Sequence, residues 1–148
     1  MISERAGMIG WREWVTLPAF CSSQIKAKVD TGAKTSSLHA HDLTVIEQSG
    51  GPVARFELHP DAGSADGATR VEAPIVDFRM IRSSNGGTER RPVIRTQCML
   101  AGERFDIDLT LTSRSSMGHR MLLGRRVLED RFWVDPGRSF LLTRRNPA

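Results

Sequence analysis

The stretch Ile25-Lys26-Ala27-Lys28-Val29-Asp30-Thr31-Gly32-Ala33 decides the reading of this chain. Ile25, Ala27 and Val29 alternate with two lysines, the period-two pattern of a half-buried strand. The strand runs straight into Asp-Thr-Gly, so a carboxylate is presented where a strand gives way to a glycine turn. Such positions commonly carry chemistry, although an isolated Asp-Thr-Gly is also an ordinary turn.

The same alternation recurs along the chain. Phe105, Ile107, Leu109 and Leu111 interleave with Arg104, Asp106, Asp108 and Thr110, while Ile94, Thr96, Cys98 and Leu100 have the same spacing upstream. Ala101-Gly102-Glu103 between them predicts a tight hairpin connection. Ala54, Phe56, Leu58 and Val76, Phe78, Met80 form two more alternating runs around a Pro- and Gly-bearing loop over 60–67. A helix is expected only over Arg125 to Asp130. These elements predict an all-β domain, a closed or partly open antiparallel barrel with one short C-terminal helix. The expected domain covers 9–143, with flexible tails at 1–8 and 144–148.

Composition narrows the function classes. The 148 residues suit one domain with one core. No apolar run approaches the roughly 20 residues that span a bilayer, and the first residues lack a secretory pattern, so a cytoplasmic, membrane-free protein is expected. Cys21 and Cys98 are far apart and read as free thiols. The formal charge of +4 suits an acidic partner, and no nucleic-acid motif is recognisable.

A second signature lies far downstream: Met121-Leu122-Leu123-Gly124-Arg125, an apolar strand, a glycine and a short helix. Together with Asp30-Thr31-Gly32-Ala33 it resembles the retropepsin family of aspartic peptidases, over about Ile25 to Leu142. Ile9 to Val15, Ile25 to Ala40 and Met117 to Pro136 are more closely similar to the bacterial group called ATP-dependent zinc proteases. That group is associated with RimK-type glutamate ligases, and the resemblance implies a RimB-type role in processing glutamate tails on ribosomal protein. It implies Asp30, Thr31 and Gly32 as the catalytic loop, with Ala33 beside substrate. It also implies a flap over 81–89, whose Asn85, Gly86 and Gly87 form the turn.

An aspartic peptidase needs two carboxylates sharing one proton, one to activate water and one to polarise the carbonyl. This chain has a single Asp-Thr-Gly, and Asp42-Leu43-Thr44 and Asp108-Leu109-Thr110 lack the glycine. The partner Asp is therefore expected from a second copy across a two-fold axis. Lys34 stands where viral relatives carry an acid, so Arg125 is left to face substrate or Asp130. Lys34, Arg79, Arg82, Arg90, Arg91 and Arg95 lie beside the loop or on the flap, where they suit a glutamate-rich peptide or form a solvated face.

Neither ATP nor zinc can be read from the residues: there is no phosphate-binding Gly-x-x-x-x-Gly-Lys-Ser/Thr and no His-Glu-x-x-His. No cofactor or metal is expected. The competing readings are a zinc hydrolase around His39 and His41, completed by Asp42, His59 or a cysteine, and a non-catalytic basic binding module on the same fold.

Overall fold

The computed structural model describes residues 7–60, 67–82, 86–113 and 119–145. They form β1 (Gly7–Gly10), β2 (Arg12–Val15), β3 (Ile25–Val29), β4 (Ser36–His39), β5 (His41–Gln48), β6 (Gly51–Leu58), β7 (Thr69–Arg82), β8 (Thr88–Leu100), β9 (Glu103–Thr112), β10 (Met121–Leu123), α1 (Arg125–Leu128) and β11 (Phe132–Asp135). The described residues are mostly β with one short helix.

Nine strands make one sheet in the order β2-β3-β10-β4-β9-β8-β7-β6-β5, and β1 pairs with β11 separately. No pairing joins β2 to β5 among the described residues, so the sheet is not closed into a barrel. Nor is it purely antiparallel: β10 runs parallel to β3, β4 parallel to β9 and β1 parallel to β11. Each of these pairs joins segments distant in sequence, which no hairpin signal announces.

The alternation reads out as burial. Ile25, Ala27, Leu109 and Leu111 are fully enclosed, and Ile94, Cys98 and Leu100 face the same core. The β8–β9 connection is a two-residue turn closed by Leu100 opposite Glu103, with Ala101 at φ 52 and Gly102 at φ 82. Positive φ at both central residues gives the right-twisting hairpin turn. One alternating run does not read out as burial: Val76 and Met80 are exposed, at 48% and 64%. The ladder of β7 on β8 shifts between Ile75 and Asp77, so Phe78 opposite Pro92 and Met80 opposite Arg90 share the face of Ile75 opposite Ile94, along the part of the hairpin that runs out to Arg82.

A buried acid ties the C-terminal segment down. Glu13 has no exposed surface, and its carboxylate accepts hydrogen bonds from the amides of Gly10 (2.7 Å), Leu141 (2.7 Å), Leu142 (3.4 Å) and Thr143 (3.1 Å), and from the Thr143 hydroxyl. Donors on this scale replace the lost water shell of a buried charge.

Candidate active site

The two signatures that lie far apart in sequence meet in space. β10 lies beside β3 with Leu123 opposite Val29, so Asp30 and Gly124 leave the sheet together. The Asp30 amide donates to the Leu123 carbonyl at 2.9 Å. Beyond it the chain turns back on itself: the Gly32 amide donates to Asp30 Oδ1 at 3.0 Å and the Ala33 amide to the Asp30 carbonyl at 3.2 Å. Asp30 is partly exposed, and Thr31 and Gly32 are exposed.

The start of α1 braces this loop from behind. The Arg125 amide donates to the Ala33 carbonyl at 2.7 Å and the Arg126 amide to the Lys34 carbonyl at 3.2 Å. The Arg125 guanidinium reaches the Thr31 carbonyl at 3.3 Å, with Glu129 at 3.9 Å. With Lys34 in place of an acid, the guanidinium is thus satisfied by the loop's own backbone and by Glu129, and not by Asp130. Gly124 is required by close approach: a Cβ there would lie 2.5 Å from the Thr35 carbonyl carbon and oxygen. Its amide donates to Ser36 Oγ at 2.9 Å.

β7 and β8 pair as a long antiparallel hairpin, with Arg82 opposite Thr88 at the end of the described ladder. Asn85 lies outside the described residues; Gly86 and Gly87 are exposed, Gly86 at φ 89. The arginines of this hairpin do not form one patch. Cross-strand register pairs Arg79 with Arg91 and Met80 with Arg90, so Arg79 and Arg91 share one face, while Arg82 and Arg90 belong to the other. Arg90 stacks over Phe78 at 4.0 Å, Arg91 pairs with Glu89 at 3.1 Å and Arg95 with Asp108 at 2.8 Å.

A basic concavity does form beside the loop, from a different set. Lys34, Thr35, Arg79, Met80, Ile81 and Arg126 line a cavity of about 520 Å³. An adjoining hollow of about 270 Å³ shares Thr35, Arg79 and Arg126 and adds Arg95, Arg131, Asp106 and Asp108. The sequence pointed to Lys34, Arg79 and Arg95; Arg126 on α1 and Arg131 beyond it gave no signal, because only the tertiary fold brings them beside Arg79.

The histidines part company. His39 is buried, and its Nδ1 lies 3.1 Å from Arg120 Nη1; burial first, then Arg120, holds its pKa below the ordinary value. It stands apart from the group that does converge, His41, Glu57 and His59, whose ligand atoms lie within 4.8 Å of one another. Cys98 is enclosed in the core, which pushes its thiol up to about 12, and both cysteines are free. Among the described residues no helix is long and apolar enough to cross a membrane.

Comparison with known proteins agrees with this geometry. A solved protein of unknown function from Legionella pneumophila superposes with a TM-score of 0.76 at 30% identity, covering 93% of this chain and 98% of that one. Curated relatives called probable alpha-L-glutamate ligase include one from Shewanella halifaxensis, 43% identical over 98% of this chain, and one from Desulfotalea psychrophila, 43% identical over 87%. The chain spans about a third of the length of these relatives, 32% and 28%. The profile of the RimB-like family, described as retropepsin-like aspartic endopeptidase RimB, matches residues 8–145. The chain belongs to the RimB-like family of retropepsin-like aspartic endopeptidases.

Proposed function

We propose that this protein is a homodimeric aspartic peptidase that trims acidic, glutamate-rich protein tails, with Asp30 as the catalytic carboxylate of each subunit. The observation that carries the reading is the Asp30 turn itself: a carboxylate held by the Gly32 amide, braced by Arg125 and β10, on an exposed loop. One such loop per chain supplies half of a two-carboxylate site, and its exposed Thr31 and Gly32 are free to meet their own copy across a two-fold axis.

In the paired site, two carboxylates about 3 Å apart share one proton. The ionised one takes a proton from water as its oxygen adds to the scissile carbonyl carbon. The protonated one donates its hydrogen to the carbonyl oxygen, giving a neutral gem-diol. Proton transfer to the amide nitrogen then breaks the C–N bond, releasing an amine and a carboxylic acid. Thr31 orients the paired loops, and Gly32 lets the backbone come close to the dyad.

The substrate assignment rests on the cavity. Lys34, Arg79 and Arg126 surround it beside the loop, and cations in a partly enclosed site favour carboxylate side chains. Longer relatives of this chain bear the name probable alpha-L-glutamate ligase, and a peptidase of this type would hydrolyse the tails such a ligase adds. Subunit mixing tests the shared site. After dissociation and re-association with an equal amount of Asp30→Asn, random pairing leaves about one quarter of the dimers wild-type on both sides. Activity should track that quarter; activity tracking one half would mean that each chain works alone.

A further inference from the structure

A second group of chemically competent side chains lies away from the catalytic loop. His41 opens β5 and stands directly opposite Glu57 of β6, and His59 follows two residues later, on the same face by strand alternation. His59 Nε2 lies 3.1 Å from Glu57 Oε2, and the His41 and His59 rings are 4.5 Å apart between centroids. Asp42 adds a carboxylate 3.7 Å from His41 Nε2. Asp42 has φ 54, and the β5–β6 ladder shifts between His41 and Thr44; this bulge turns the strand entry.

We propose that His41, Glu57 and His59 form a divalent-cation site of the zinc class that clamps the base of the β5–β6 hairpin. Two imidazole nitrogens and one carboxylate oxygen are a common donor set for zinc, nickel or copper, and a poor one for magnesium or calcium. Their atoms lie within 4.8 Å of one another, and a bound ion would draw them in to about 2.0–2.2 Å from itself. His59 is 8% exposed whereas His41 is open to solvent, which leaves an entry path and room for water as the fourth ligand.

The cluster lies at the far end of β4 from the catalytic loop. Ser36, at one end, receives the Gly124 amide; His39, at the other, donates its amide to the Arg120 carbonyl. Three residue steps of strand put these ends roughly 10 Å apart. The ion therefore acts on the stability of the hairpin and takes no part in hydrolysis. His39 is not among the converging side chains, and its Nδ1 is taken by the Arg120 guanidinium.

The test uses the full chain carrying Cys21→Ser, stripped with a chelator and then exchanged into zinc or magnesium. Free zinc at 100 times Kd should raise the unfolding midpoint by about 5–10 °C, and magnesium should leave it unchanged. Cobalt(II) in place of zinc should give the visible bands of a four-coordinate ion. His41→Ala and Glu57→Gln, both at positions open enough to leave the core intact, should each abolish the zinc shift and the cobalt bands while the metal-free midpoint stays near that of the parent. A zinc shift of the same size in either variant, an equal shift with magnesium, or no shift with zinc overturns the proposal. Peptidase activity at low temperature should be the same with and without zinc.

Discussion

Glu13→Gln is the substitution whose cost can be worked most fully from the structure. The change removes the charge and turns one carboxylate oxygen into an NH2 group in a site that offers only donors. If Oε2 is replaced, the Gly10 and Leu141 amides, each at 2.7 Å, face another donor. If Oε1 is replaced, the two amides of Leu142 and Thr143 do so, and the Thr143 hydroxyl must rotate. Each buried group left unsatisfied costs about 1–3 kcal/mol, so the net loss should be about 3–5 kcal/mol after local relaxation. For a chain of 148 residues that lowers Tm by about 6–20 °C. The assay is urea unfolding followed by tryptophan fluorescence, because Trp14 stacks on Phe140 of the tethered segment at 5.5 Å. An unchanged slope with a lower midpoint would place the loss in native-state stability. A loss below about 1 kcal/mol would mean that the carboxylate is not what holds residues 141–143 down.

Further outcomes follow from the site. Gly124→Ala forces a methyl against the Thr35 backbone, so activity should fall at least tenfold even where circular dichroism shows a folded sheet; full activity would contradict the close approach. Arg79→Glu combined with Arg126→Glu should raise KM for oligoglutamate peptides selectively, with kcat and the neutral-peptide kinetics little changed. Rising salt should erode the wild-type preference for the acidic peptide, and equal losses on both peptides would assign these arginines to structure.

What could be read in the sequence was local. Period-two alternation and the glycine turn located β3 and the Asp30 loop, and Ala101-Gly102 located the β8–β9 hairpin, because each depends on residues adjacent in the chain. The helix begins at Arg125 as the sequence predicts but ends at Leu128, short of Asp130. Missed features depend on distant pairing. The parallel partners of β3, β4 and β1 leave no turn signal, and β5 is exposed along most of its length and shows no alternation. Alternation over Val76, Phe78 and Met80 located a strand but not its burial: the ladder shifts after Ile75, and Val76 and Met80 are exposed. The basic site changed membership for the same reason: neighbours in sequence such as Arg90 and Arg91 point to opposite faces of a strand, while Arg79 and Arg126 converge across the fold. Glu13 gave no sign of burial, because its donors come from residues 141–143, at the other end of the chain.

Hydrolysis of acidic tails by Asp30 is the proposed activity. The most direct measurement incubates a glutamate-extended ribosomal protein with purified wild type or Asp30→Asn and follows the tail length by mass spectrometry. The amide is nearly isosteric but cannot act as base, so wild type should shorten the tail glutamate by glutamate or release it, while the folded, dimeric variant leaves it intact. Undiminished shortening by Asp30→Asn would contradict the account.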